Sequence, residues 1–433
     1  MSSFMPVKVS SAILKEIEDI TGFREKIEKS LQSPITELLE IILGGGIALR
    51  SSDLHFEPQK KEIRIRLRID GILQEVLSFD FKIYENLLSR IKFLSKIKLN
   101  ITDRPQAGRF TILAGSSEKS LAKQSIEIRT STLPTEYGES IVLRILDPER
   151  VIELENLGLR KDLLSLFEKE IKKPNGMIII TGPTGSGKTT TLYAFLKKIQ
   201  RPGIKIITIE DPIEYHLEGI SQTQTNPAKG YDFVSGLKSI MRQDPDVILV
   251  GEIRDVQTSE IAIQAALTGH LVFTTLHTND ATGTIARLAS LGTNPVNIGP
   301  AINLAIAQRL VRKMCKKCGE FKKATPSELK KIREGLKNIP KEIELPKIWD
   351  GIKTPKVKGC KYCNFTGYRD RTGIFEAFLI DDEIEKFILT NPLVATLRKK
   401  VIERGMLTIK QDGLIKVLEG LTTLEEVERI AGE

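Results

Sequence analysis

The sequence predicts an α/β fold, and three observations carry that expectation. From about residue 156 onward, apolar runs of buried-strand length (Met177–Ile180, Ile204–Ile209, Val247–Val250 and Leu271–Thr275) alternate with helical segments. That alternation is the pattern of a parallel sheet covered on both faces. The first of these runs leads straight into a glycine-rich loop and then a helix. Before residue 150 the pattern is different, with short charged-and-branched alternations that read as a separate, smaller α+β domain.

The elements follow in order. Residues 1–50 carry helical spacing at Ile35, Leu38, Leu39 and Ile42, closed by the triplet Gly44-Gly45-Gly46. Between Ser51 and Asp147, Ile63 to Ile69 alternates at period two and places Arg64, Arg66 and Arg68 on one strand face, before a turn at Asp70-Gly71. Phe81 to Lys98 is expected as a helix, and Ser125–Thr130 and Ser140–Ile145 as strands. Residues 155–312 form the expected α/β core, 313–371 a lysine-rich insertion, and 372–433 a C-terminal helical subdomain. No internal repeat is present.

Composition narrows the function classes. With 433 residues, 40% of them apolar and 28% charged, the chain is of ordinary globular type and long enough for several cores. The richest apolar stretch, Leu38 to Leu49, is interrupted by Glu40 and the glycine triplet, too short for a membrane span. The N-terminus lacks a secretory pattern, so a cytoplasmic protein, peripheral to the inner face of the membrane where a partner holds it, is expected. The net charge of +9 is concentrated: 18 Lys/Arg oppose 7 Asp/Glu between Val311 and Arg371. Such a surface is either simply solvated or faces anionic lipid, an acidic partner or nucleic acid.

The four cysteines form two Cys-x-x-Cys pairs, Cys315/Cys318 and Cys360/Cys363. In a reducing compartment such pairs point to one structural Zn²⁺ held by four thiolates. The long intervening segment costs little, because loop-closure entropy grows slowly with length.

Gly182-Pro183-Thr184-Gly185-Ser186-Gly187-Lys188-Thr189 satisfies G-x-x-x-x-G-K-[ST] in full, preceded by a strand and followed by a helix from Thr190 to Ile199. Glycines allow successive backbone N–H groups to curl around phosphates at the positive end of the helix. Lys188 is expected at the β- and γ-phosphates of ATP and Thr189 at Mg²⁺. Thr190 completes the binding segment. Two acids end neighbouring strands: Glu210, with Asp211, and Glu252, one place beyond Gly251, where an aspartate is usual. Beyond the carboxyl ends of parallel strands, both would face the nucleotide. Glu252 is expected to polarise the attacking water and Glu210 to hold that water or the Mg²⁺ shell. Of four histidines, His270 and His277 flank the Leu271–Thr275 run; His270 is taken as a catalytic candidate that reports phosphate occupancy.

Ile209 to Tyr215, Met241 to Asp255 and Thr268 to Asp280 together resemble the aspartate, Walker B and histidine boxes of the secretion ATPases, the type II secretion and type IV pilus assembly family. The likeness extends to Ser52–Pro58, Arg64–Gly71, Gly359–Tyr368, Gly405-Met406 and Asp412–Leu414. It implies a RecA-like P-loop domain (155–312), a PAS-like N-terminal domain (51–150), a tetracysteine zinc subdomain (313–371) and a homo-hexamer. It also implies arginines of the N-terminal domain reaching the phosphates; the candidates are Arg104, Arg109, Arg129 and Arg144, with Arg129 and Arg144 preferred. Implied partners are an inner-membrane platform protein, a cytoplasmic-side recruiter and anionic phospholipid, with no nucleic acid. Longer members place a further domain before the PAS-like one, whereas about fifty residues precede it here.

The expected function is an ATP-hydrolysing motor for type II secretion pseudopili or type IV pili. The rival from another class is a DNA or RNA translocase, and a competence-pilus ATPase is the alternative within the family. A non-hydrolysing adaptor fits poorly with two acids at the strand ends, and a retraction motor fits poorly with the cysteine pairs.

Overall fold

The structure, a computed structural model, describes residues 7–115, 124–147, 152–341, 343–345 and 348–432. The chain divides into two compact units. The first comprises residues up to 150 together with Cys315–Gly319 and Val357–Arg369, and the second takes the remainder.

In the first unit, β1 (Val7–Val9), α1 (Ser11–Glu16), α2 (Ile20–Ser30) and α3 (Ile35–Ala48) precede β2 (Asp53–Pro58), β3 (Ile63–Ile69) and β4 (Ile72–Phe79). After α4 (Phe81–Leu94) come β5 (Gln106–Ala114), β6 (Gln124–Thr135) and β7 (Gly138–Leu146). The seven strands order as β1-β5-β6-β7-β2-β3-β4. All these pairings are antiparallel except β1 with β5. The alternation read in β3 holds: Ile63, Ile65, Leu67 and Ile69 are buried and the arginines between them are half-exposed. Asp70 and Gly71, both at positive φ (49° and 87°), close the β3–β4 hairpin, as Asp-Gly favours.

The glycine triplet does not end a helix. α3 continues through it, because glycine is what the packing admits there. A Cβ on Gly45 would lie 2.0 Å from the Phe23 ring, and one on Gly44 2.5 Å from Ile13. The helical segment read before residue 50 thus helps build the core of this unit, with Phe23, Ile27, Leu38 and Ile42 fully buried alongside Leu54 and Phe56.

In the second unit, α5 (Lys161–Glu170) leads to β8 (Gly176–Thr181), α6 (Lys188–Ile199), β9 (Ile206–Glu210), β10 (Ser221–Gln224), α7 (Phe233–Ile240) and β11 (Val247–Val250). Then follow α8 (Val256–Leu267), β12 (Leu271–Leu276), α9 (Gly283–Ser290), α10 (Pro295–Ala301) and β13 (Ile302–Met314). The sheet order is β10-β9-β11-β12-β8-β13-β16, where β16 is Tyr368–Leu379. The five pairings from β10 to β13 are all parallel. Four consecutive fully buried residues in β11 and six in β8 and β12 reflect a sheet covered on both faces.

β14 (Glu320–Lys323), α11 (Pro326–Gly335) and β15 (Lys353–Lys356) also belong to this unit, as do α12 (Asp382–Leu389), α13 (Val394–Glu403), α14 (Ile409–Leu418) and α15 (Leu424–Ala431). The segment expected as one subdomain over 313–371 is therefore shared between the two units, and 372–379, expected helical, is strand. Both departures come from long strands, β13 and β16, whose partners are distant in sequence. Among the described residues no helix is long and apolar enough to cross a membrane.

Candidate functional site

Parallel strands deliver their carboxyl ends to one edge of a sheet, and here that edge gathers the expected nucleotide site. β8 ends at Thr181, immediately before the glycine loop. Gly182, Gly185 and Gly187 take φ of 145°, 80° and 90°, which L side chains rarely adopt. Gly187 is the N-cap of α6 and no side chain caps that helix, so its first N–H groups are left for an anion. Pro183, Thr184 and Gly185 are exposed, Thr189 and Thr190 half-buried. Ser186 is buried and its hydroxyl has no partner.

Lys188 Nζ folds back onto its own loop, donating to the carbonyls of Gly182 (2.7 Å) and Pro183 (3.1 Å). Burial pushes its ammonium down to about 8; Glu252 opposes that shift and the positive Arg309 adds to it. Glu252 is thus the carboxylate that Lys188 senses. It also pairs with Arg254 and lies 3.4 Å from His277 Nε2. Arg254 is in turn 3.9 Å from Asp211.

Backbone and hydroxyl ties fix these loops to one another. Thr275 Oγ1 donates to the Gly251 carbonyl at 2.7 Å, and Thr181 Oγ1 accepts from Thr278 N at 2.7 Å. Gly251 explains the displaced acid. A Cβ there would sit 3.2 Å from the Ile209 carbonyl and 3.3 Å from Glu210 Cα. A side chain at 251 would be tightly packed against the β9 backbone, and the acid is carried at 252 instead.

Glu210 ends β9 on the same edge but is enclosed. Its carboxylate accepts from Tyr193 Oη, from Thr208 Oγ1 (2.6 Å) and from Gln222 Nε2 (3.2 Å). Burial raises its pKa above the usual carboxylate range, although the three donors oppose that rise. Its bonded partners are side chains of α6, β9 and β10, whereas Glu252 meets Arg254 and His277.

His270 is not brought to this edge. It precedes β12 and its Nδ1 lies 3.1 Å from the Ala265 carbonyl at the end of α8. A strand of six residues separates it from His277, roughly 20 Å at ~3.3 Å per residue. His277 is the histidine beside Glu252.

In the first unit, register places Arg109, Arg129 and Arg144 side by side on β5, β6 and β7, with Asp53 of β2 next in the row and Arg68 of β3 beyond it. Arg144 Nε donates to Asp53 Oδ1 at 3.0 Å, and Arg68 Nε is 3.6 Å from the other oxygen. Arg129 pairs with Glu127 at 3.6 Å. Arg104 lies outside the strands, before β5, and is exposed.

The four cysteine sulfurs all lie within 4.8 Å of one another. Sγ separations of 4.0, 3.7 and 3.8 Å for Cys315–Cys360, Cys318–Cys363 and Cys360–Cys363 exclude a disulfide, whose sulfurs would be ~2.05 Å apart. They match the ~3.8 Å edge of a tetrahedron with ~2.3 Å Zn–S bonds. Backbone N–H groups of Cys360 and Gly367 each donate to Cys363 Sγ at 3.2 Å. These residues fit a structural zinc ion. Within the first unit, Asn364 Oδ1 accepts from Ile20 N at 2.9 Å, so the knuckle is bonded to the start of α2.

Tyr193, Gln222, Gln308 and Arg309 were not expected at the site. Gln308 Oε1 accepts from buried Thr191 in the first turn of α6 at 2.8 Å. The one local signal for it was a polar Gln-Arg pair directly after the buried run Leu304–Ala307.

The model of the type II/IV secretion system protein family matches residues 28–429. The type II secretion system ATPase E of Vibrio cholerae is 40% identical over 417 residues, 96% of this chain and 79% of the relative. The type IV pilus assembly ATPase PilB of Myxococcus xanthus is 38% identical over 414 residues, 95% and 70% of the two chains. Among solved structures, the Legionella pneumophila ATPase DotB is similar in fold, with a TM-score of 0.63 at 20% identity over 91% of this chain and 95% of that one. The pilus retraction motor PilT with bound ADP gives a TM-score of 0.57 at 23% identity over 90% and 95%.

Proposed function

Because the chain belongs to the type II/IV secretion system protein family, we propose that it is an ATP-hydrolysing motor that drives assembly of a type II secretion pseudopilus or a type IV pilus. The observation that carries this reading is the complete P-loop between β8 and α6, with Glu252 and His277 paired past the carboxyl ends of β11 and β12 in the same sheet.

In this reading the backbone of Gly182–Gly187 and the open end of α6 hold the phosphates. Lys188 exchanges its bonds to the loop carbonyls for bonds to phosphate oxygens. Thr189 is the residue that would hold Mg²⁺, which when bound would supply charge neutralisation. Glu252 orients and polarises the water, with His277 and Arg254 fixing its carboxylate. Glu210, held by Tyr193, Thr208 and Gln222, would be a rigid second carboxylate for the metal's water shell if Mg²⁺ and nucleotide were bound. Cycles of binding and release in a hexamer displace an inner-membrane platform protein, at the inner face of the membrane. Arg129 and Arg144, on a PAS-like domain, supply positive charge to the phosphates. Asp53 holds Arg144 in position until then.

The test is steady-state phosphate release by the purified chain, with Lys188→Ala and Glu252→Gln as controls, and filament assembly in a deletion strain carrying each variant. Release that depends on both residues, together with loss of filaments, supports the reading. Turnover that rises with DNA or RNA and is indifferent to platform protein would point instead to a translocase. An Arg144→Ala chain that binds ATP normally but loses roughly 10³-fold in turnover supports the arginine assignment; undiminished turnover removes it.

A further inference from the structure

We propose that Arg309 is a second phosphate-binding cation of the nucleotide loop, supplied by the same chain, and that it ties phosphate occupancy to the segment after β12. The inference rests on the nucleotide reading above and adds a residue to it.

β13 runs parallel to β8 with Ala307 opposite Thr181, so Gln308 and Arg309 emerge beside the first residue of the glycine loop. The approach is close: a Cβ added to Gly182 would lie 3.1 Å from Arg309 Nη1. The guanidinium also donates from Nη2 to the Asn279 carbonyl at 2.7 Å and from Nη1 to the Gln308 carbonyl at 3.2 Å. One planar group therefore touches the phosphate loop on one side and the loop carrying His277, Asn279 and Asp280 on the other.

Lys188 feels the positive charge of Arg309 as well as the negative charge of Glu252. Burial and the neighbouring positive charge disfavour the charged form of Lys188, and burial disfavours that of Arg309. Asp280 and Glu376 draw on Arg309 from further off. They are themselves engaged: Asp280 Oδ1 accepts from Gly283 N, and Glu376 Oε1 from Ala281 N at 2.8 Å. A polyanion entering the loop relieves the repulsion between the two cations, and an arginine fork suits phosphate oxygens. Because Arg309 is held to the Asn279 carbonyl, its movement toward phosphate is transmitted to the residues that carry His277. From there Asp280 reaches Arg398 of α13 (3.4 Å), which also meets Glu376 (3.3 Å).

The experiment measures ATP affinity by fluorescent-nucleotide displacement, turnover, and the unliganded melting temperature for wild type, Arg309→Gln, Arg309→Met and Arg309→Lys in the full chain. The expected result is a roughly 10- to 100-fold loss of ATP affinity in the Gln and Met variants, the scale of one charged hydrogen bond. Lys is expected to recover most of it, with unliganded melting little changed. Wild-type affinity in both uncharged variants overturns the proposal. So does an equal loss in all three with melting lowered alike, which marks a packing role. A wild-type chain that fails to bind ATP refutes the nucleotide reading itself, a different outcome from either.

Discussion

His277 Nε2 stands 3.4 Å from Glu252 Oε2, across the gap between the ends of two adjacent parallel strands. The pair joins the loop after β11 to the loop after β12 at the point where Lys188 also senses Glu252. Glu252→Gln is expected to retain ATP binding and lose about 10²- to 10⁴-fold in turnover, the usual range for a displaced general base. His277→Ala, which removes one contact holding that carboxylate, is expected to cost about two- to fivefold, the scale of one partly exposed ion pair. His270→Ala should leave turnover near wild type. Phosphate-release rates and binding isotherms on the three variants check the ordering, and a larger loss at His270 than at His277 would reverse it.

Lys188 carries its folded-state pKa to about 8, below the ordinary lysine value. The charged ammonium is less welcome in the folded loop than in the unfolded chain. The resulting cost is complete below pH 8 and fades as pH rises toward 10.5. Nucleotide-free Lys188→Met should therefore be the more stable chain below pH 8, by about 1 to 2 kcal/mol after allowance for solvent screening. The difference should shrink above pH 8. Denaturant unfolding at pH 7 and pH 9.5 reads it directly, and a constant difference contradicts the assignment.

Tyr193 donates to Glu210 inside a buried cage. Tyr193→Phe removes that donor and is expected to destabilise the chain by about 1.5 to 3 kcal/mol at pH 7, as for a bond to a charged group. Glu210 has a raised pKa, so acid returns it to the neutral form while other carboxylates are still ionised. The penalty of the substitution should accordingly shrink as pH is lowered from neutrality into the acid range. A penalty that stays constant across a full acid titration would mean that the bond is not to a carboxylate.

The cysteine geometry predicts about one zinc per purified chain, measured by elemental analysis. Cys363→Ser should abolish stoichiometric binding and lower the melting temperature by about 5 °C or more, because the knuckle is bonded to α2 through Asn364 and Ile20. Zinc-free wild type with four reactive thiols and unaltered melting would argue against a structural ion.

Much of this was written locally in the chain. The phosphate loop, the two Cys-x-x-Cys pairs, the β3 alternation and the buried strands are each specified by residues within a few positions of one another. Backbone torsion, ligand spacing and periodicity are local properties. Tertiary structure decided the rest. Whether a glycine triplet stops a helix depended on Phe23 and Ile13, which need the room. Which histidine meets Glu252 depended on strand direction: in a parallel sheet only the residue past the carboxyl end arrives at the nucleotide edge, and that is His277. The enclosure of Glu210 by Tyr193 and Gln222, and the approach of Arg309 to Gly182, each join side chains from elements that only sheet pairing and helix packing bring together. No spacing rule encodes such a meeting, since its energy exists only once both elements are packed.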